Sequence, residues 1–331
     1  WKAKTSNQVK DAVANSEVAQ IREALIGIPE GQNFLQAFDE FLERYGDREL
    51  SQGLGGLAAP TWREKPEVVW GMLKGILLME GSPEGHEEFM ARRRENAERE
   101  LRQLTSHGIG RVLPLKKISE KLIDASRKYN GFRENSHFYL TRAMTVFRVL
   151  FLQMGNRLVR RGLLDHDEDI MYLSFFEVKD LLYALYSHQN ISKLELAEKI
   201  GSRKERQKRR RKRWSSRNLS IVSDGEEVLK GIGASSGVVS GPCRVITNPE
   251  EFFRLKPGDI LVAQYTNPAW TPVFSFIGGL VVEYGSTVSH AAIIAREYGI
   301  PAVMGVNGAT GLLKDGQMVT VDGLQGLVRP N

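Results

Sequence analysis

The feature that most constrains this chain is a change of hydrophobic period across a run of cations. Between Arg203 and Trp214 lie nine Lys or Arg residues and one Glu. N-terminal to the run, apolar residues recur at helical spacing. C-terminal to it they fall into short β-type runs broken by Gly, Pro and Asn. Two periods require two kinds of domain, and a chain of 331 residues exceeds what one core usually supports. The expected organisation is an all-helical domain over 1–202, a basic linker over 203–225 with loop character at Ser215, Ser216, Asp224 and Gly225, and a β-rich domain over 226–331.

The clearest helical stretch carries Leu140, Met144, Phe147, Phe151, Met154 and Leu158, spaced by four, three, four, three and four. That spacing predicts an apolar stripe on one face, with Arg142, Arg148 and Arg157 off it and Gly162 as the stop. Further helices are expected over Gln32–Tyr45, Glu67–Met79, the charged Glu87–Leu104, Phe176–Tyr186 and Ile191–Ile200. Beyond Lys230 the strand candidates are Gly237–Ile246, Asp259–Ala263, Gly279–Val282 and Met318–Val321. Between the last two lies one helix, His290–Tyr298, with Gly299 at its C-terminal cap and Pro301 beyond.

The cations do not make this a nucleic-acid-binding chain. The run has a local balance of +8 in a chain of net +6, so the remainder carries −2. It lacks the interleaved aromatics that stack bases, and reads as a solvated helix end. No apolar run approaches the ~20 residues that span a bilayer, so no membrane is expected as a partner. The single cysteine, Cys243, forbids an internal disulfide and fits a reducing cytoplasm. No metal-ligand cluster stands out. The chain starts at Trp1 rather than Met, as a piece of a longer polypeptide would.

The chemistry lies in Gly285-Ser-Thr-Val-Ser-His290-Ala-Ala. A strand ends at Val282, small and hydroxylated residues turn the chain, and His290 enters the first turn of a helix. The N–H groups and positive dipole end of a helix N-terminus attract an anion and disfavour an imidazolium. A neutral imidazole is a nucleophile. A phosphoryl group acquired there would be held by the N–H groups and by the hydroxyl of Thr287 or Ser289, with Gly285 forming the turn. Val288 has no hydroxyl, and the sequence leaves the other two open.

The segment Gly285–Gly305 resembles the phosphohistidine "swivelling" domain of phosphoenolpyruvate-utilising enzymes. So do Gly231-Ile-Gly-Ala-Ser-Ser-Gly237 with Gly241, and Lys256-Pro-Gly-Asp-Ile-Leu-Val-Ala263 followed by Thr266, Pro268, Trp270, Thr271 and Pro272. The turns at Asp315-Gly316 and Asp322-Gly323 resemble its close. The resemblance implies a β/β/α fold over 226–331 and a catalytic His290 that takes a phosphoryl group from ATP and swings to deliver it. More weakly, residues 1–200 resemble the helical domain of rifampin phosphotransferase-like and phosphoenolpyruvate synthase-like members. The pieces are Phe41-Leu-Glu-Arg-Tyr-Gly-Asp-Arg48, Pro60-Thr-Trp-Arg-Glu-Lys-Pro66, Arg133-Glu134 and Asp169-Ile-Met-Tyr-Leu173.

That second resemblance implies an acceptor side, with Arg48, Arg133, Glu134, Arg142 and Arg148 as candidate acceptor or phosphate contacts. No phosphate-cradling G-x-x-x-x-G-K-[ST] occurs, so ATP and Mg²⁺ are expected on an ATP-grasp domain or separate subunit, as in phenylphosphate synthase. The expected function is a phosphotransferase component passing phosphate to a hydroxylated, aromatic small molecule of rifamycin or phenol type. A synthase-type fragment acting on pyruvate, and a non-catalytic module keeping the swivelling fold, are the alternatives.

Overall fold

The structure, a computed structural model, describes residues 6–50, 56–78, 91–92, 95–96, 98–100, 103, 115–215, 221–223 and 226–331. It opens with four helices, α1 (Asn7–Asn15), α2 (Ile21–Ile26), α3 (Gly31–Tyr45) and α4 (Pro66–Leu77). Pro66 enters α4 at its first turn, where a missing N–H costs nothing. Phe38 of α3 stacks on Trp70 of α4 with ring centroids 3.8 Å apart, fixing the two helices face to face. The long helix α5 (Leu115–Arg160) spans about 69 Å at 1.5 Å per residue. It is followed by α6 (Phe175–Tyr186) and α7 (Lys193–Ser215). The expected helix Glu87–Leu104 lies largely outside the described residues. No described helix is long and apolar enough to cross a membrane.

The predicted stripe on α5 divides in two. Its lower part, Phe151, Met154 and Leu158, packs into a core with Ile170, Leu181 and Ile200. Its upper part is exposed, Leu140 by 62% and Phe147 by 53%. There the buried face passes through Thr141 and Arg148, then Gly155, whose hydrogens allow the backbone of Asp167 to lie against the helix. Arg148, expected off the packed face, is therefore on it.

The run 203–215 is helical rather than linker, being the second half of α7. Its first cations are also used: Arg203 forms a fork on Glu177, at 2.6 and 2.8 Å, and Lys204 pairs with Asp169. Glu177 is the third residue of α6 and completes a capping box with Ser174.

A nine-stranded sheet follows, comprising β1 (Ile221–Ser223), β2 (Glu226–Lys230), β3 (Ile232–Ser235), β4 (Val238–Ile246), β5 (Ile260–Ala263), β6 (Gly279–Val282), β7 (Ala302–Met304), β8 (Met318–Asp322) and β9 (Leu327–Pro330). The order is β1-β2-β9-β8-β4-β5-β6-β7-β3. Strand β4 pairs antiparallel with β8 through Val238–Pro242 and parallel with β5 through Cys243–Ile246, so it joins two differently built halves. Strands β5, β6 and β7 are parallel and buried throughout, as apolar runs covered on both faces must be. One face (Ile260, Val262, Val281, Val303) packs with Val319, Val321 and Val328. The other (Leu261, Leu280, Val282, Met304) packs under helix α8 (His290–Tyr298), which lies close because Ala291, Ala292 and Ala295 are small.

That second face also carries the first four helices. Residues from Val9 to Met72 share one buried cluster with residues from Ala234 to Met304, while 158–200 form a separate one. The cores therefore do not divide at the expected boundary. Glycines on α4 are the physical reason. A Cβ at Gly75 would stand 2.6–3.0 Å from the Phe276 ring, and one at Gly71 3.2–3.4 Å from Phe253. The bare helix backbone receives the Phe276 ring at Gly75 and the backbone of Phe253 at Gly71.

Candidate active site

His290 is the first residue of α8, directly after its cap. Ser289 caps the helix, its Oγ accepting from the Ala292 N–H at 3.4 Å and lying 3.9 Å from Met304 Sδ. Of the two hydroxyls the sequence leaves open, Ser289's thus serves the cap, and Thr287 is exposed in the turn. Gly285 lies close to the cap: a Cβ there would sit 3.0 Å from Ser289 Oγ, tighter than an ordinary contact. The same turn is anchored below by the buried Glu283, which accepts from the backbone N–H and the hydroxyl of Thr310. Gly299, with φ +71°, ends the helix in the left-handed region that glycine tolerates.

The imidazole is half-buried, edge-on to Phe274 at 6.5 Å, with Nε2 3.5 Å from Thr271 Oγ1. Thr271 lies on a 3₁₀ helix, Pro268–Ser275, capped by Asn267 through the Ala269 N–H. Its hydroxyl donates to Pro268 O at 2.9 Å. That hydroxyl has one proton and two places to give it. While it points to Pro268 O, it can only accept from an Nε2–H; turned to the ring, it donates to the Nε2 lone pair. Thr271 was quoted above only as part of a resembling block. Its role follows from a fold that sequence spacing does not contain.

Two residues of the helical part reach the same 3₁₀ helix. Arg48 donates to Pro268 O at 3.4 Å, the carbonyl that Thr271 also uses, and lies 5.6 Å over each of the Trp62 and Phe138 rings. Glu49 O accepts from Asn267 Nδ2 at 3.1 Å. A cleft lined by Arg48, Glu49, His137, Phe138, Thr141 and Asn267 opens along this seam. His137 was not anticipated, and nothing in its local sequence marks it.

Arg148 and Arg142 are each engaged by carboxylates. Arg148, expected to meet phosphate, is 2% exposed and forks onto Glu64 with contacts of 2.8 Å while donating to Leu57 O at 2.8 Å. Burial alone would push its guanidinium pKa down, but the hydrogen bonds and charge of Glu64 leave it raised. It is a buried clamp and offers no donor to a phosphoryl group. Arg142 lies 3.7 Å from Asp47, which also meets Arg63 at 3.6 Å. The side chains of Arg133 and Glu134 lie outside the described residues. Among the described residues, no group of three or more His, Cys, Asp or Glu could hold a metal ion.

Comparison with known proteins supports the two-part reading. Residues 255–326 match the family described as PEP-utilising enzyme, mobile domain, and residues 2–134 match the rifampicin phosphotransferase fourth domain. The chain is 33% identical over 317 residues to a rifampicin phosphotransferase of Bacillus subtilis, covering 90% of this chain and 34% of that protein. It is 31% identical to the one of Streptomyces sviceus, covering 97% of this chain and 37% of that protein. Over 120 residues it is 42% identical to a probable phosphoenolpyruvate synthase of Archaeoglobus fulgidus, covering 36% of this chain and 16% of that protein. The chain thus spans about a third of the length of the rifampicin phosphotransferases it matches. A mobile domain carrying His290 at a capped helix start, joined to a helical part matched along most of its length, makes this chain a member of the PEP-utilising enzyme family.

Proposed function

We propose that the chain is the carrier and acceptor portion of a phosphotransferase. His290 takes a phosphoryl group from ATP and Mg²⁺ held on an ATP-grasp domain or subunit outside this chain, and passes it to a hydroxylated aromatic small molecule. In the first displacement a ring nitrogen bonds phosphorus as the donor's P–O bond breaks, the departing oxygen keeping the electron pair. In the second, the acceptor oxygen bonds phosphorus, the P–N electron pair returns to the ring, and the hydroxyl proton is released. A helix N-terminus suits the charge of the intermediate.

The observation that carries the reading is the shared carbonyl of Pro268. It receives the hydroxyl of Thr271, beside His290, and the guanidinium of Arg48, from the helical part. His290 and the helical part proposed as the acceptor side thus flank one backbone turn. The likeness to rifampicin phosphotransferases runs through both parts, whereas that to the synthase covers 120 residues, which favours a hydroxylated acceptor over pyruvate.

The test is to supply an ATP-grasp domain in trans with labelled ATP and isolate the phosphoprotein. Label that is acid-labile, alkali-stable and absent from His290→Ala is expected. Equal labelling of His290→Ala refutes the assignment, and absence of label on the wild type under conditions where the grasp domain hydrolyses ATP favours a non-catalytic module.

A further inference from the structure

Helix α5 is apolar on two opposite sides. One is its packed face, which passes through Thr141 and Arg148. The other lies half a turn round the helix, counted at about 3.6 residues per turn. It carries Tyr129, Phe132, Tyr139, Val146 and Leu150, with Ala125, Ser136 and Ala143 at the places between. Positions 125, 129, 132, 136, 139, 143, 146 and 150 step by four and three in strict alternation, the seven-residue repeat by which helices pair. The five large side chains are 50–70% exposed. A stripe of this length, open to solvent, marks an interaction surface, and its repeat calls for another helix.

The order of large and small side chains along the stripe selects that helix. Laid antiparallel on itself, it sets Phe132 against Ala143, Tyr139 against Ser136, Tyr129 against Val146 and Leu150 against Ala125. In every layer the larger side chain meets a smaller one. Lys128 then falls beside Val149, and Arg142 beside Asn135, each without a like charge opposite. The register one heptad away opposes Ala125 to Ala143 and Lys128 to Arg142, a hole and a repulsion. A parallel pair in register sets each residue against itself, ring on ring and alanine on alanine. We infer that this face of α5 pairs antiparallel with the same face of a second copy of this chain, about a two-fold axis between Ser136 and Tyr139. The area suffices. Three rings of ~150–250 Å², each about two-thirds exposed, offer roughly 300–500 Å². With Val146, Leu150 and the flanking Leu140, Phe147 and Val149, each chain supplies about 700 Å², close to the ~800 Å² per partner of a standard interface. The cleft beside Pro268 is lined by His137, Phe138 and Thr141, from the opposite side of the helix, so pairing leaves it open.

Sedimentation equilibrium of the 331-residue chain over about 1–100 µM tests the pairing, and a monomer–dimer equilibrium is expected. Tyr139→Glu and, independently, Ala143→Glu put a carboxylate into the seam at exposed positions, and each should weaken association at least about tenfold. Phe176→Glu, at an exposed apolar position on α6, should leave it unchanged. For the register, Asn135→Cys/Arg142→Cys treated with copper phenanthroline should form a covalent dimer, since its two thiols stand about two turns apart on one helix and can bond only across the pair. Lys128→Cys/Arg142→Cys should not. A chain that stays monomeric throughout overturns the pairing and leaves the stripe to a helix of another polypeptide. Association that survives both carboxylates, that falls equally with Phe176→Glu, or that crosslinks through 128 and 142 in place of 135 and 142 overturns it as well.

Discussion

Replacing Arg148 by Met tests the clamp that joins α5 to the segment before α4. The guanidinium is 2% exposed and meets Glu64 through a fork with contacts of 2.8 Å, while a third donor reaches Leu57 O. Methionine keeps most of the stem's packing, so the loss is chiefly electrostatic. Breaking a fully buried pair by removing one partner costs about 3–5 kcal/mol. Glu64 is one-third exposed and regains part of its hydration, so the expected cost is about 2–3 kcal/mol. Glu64→Gln should cost a comparable amount, because a buried arginine cannot shed its proton. The double variant should then be less damaging than the two losses combined, by about 1.5 kcal/mol or more. Urea unfolding followed by tryptophan fluorescence gives each value from the midpoint and slope. Two single losses below about 0.5 kcal/mol, or an additive double variant, would refute the reasoning.

Acid should act through Glu177, whose carboxyl is held far below its ordinary value of 4.5, first by the Arg203 guanidinium and further by the Ser174 N–H. A folded-state value below the unfolded one contributes stability that is complete above about pH 4.5 and is lost as pH falls through the folded value. Glu177→Gln should therefore flatten the acid limb of an unfolding profile relative to wild type, and superimposable limbs would disprove the linkage. Thr271→Val removes the hydroxyl beside His290 at nearly constant volume, and should slow phosphohistidine formation about tenfold or more, with Thr271→Ser restoring it. Wild-type labelling rates for the valine variant would deny Thr271 any part in positioning the ring.

What the sequence makes legible here is local. Helix α8 has the bounds expected for it, because Gly299 and the following proline punctuate the chain within a few residues of one another. Strands β5 and β6 stand out as apolar runs between turn residues. Strand β7 does not, since it has three residues and is a strand only because β6 and β3 flank it. Arg148 was misplaced for a similar reason. Its burial depends on Glu64, 84 residues earlier, and no periodicity within α5 reveals a partner at that distance. The contact between Arg48 and Pro268 spans 220 residues, so the seam itself is invisible to spacing, although Asn267-Pro268 is a helix-start pair that could have placed the turn carrying Thr271.

The glycines of α4 have a consequence for how the histidine could travel. The Phe276 ring fits against Gly75 with no room for a methyl group, and the backbone of Phe253 lies close against Gly71. If the mobile domain leaves α4 behind, it carries the buried Phe276 ring and its apolar neighbours into water, and departure is opposed in proportion to that wetted area. If it takes α4 along, Trp62 and Trp70 ride with His290 and that face stays covered. Fluorescence of Trp62 and Trp70 distinguishes the two itineraries, since only the first changes their surroundings during the stroke.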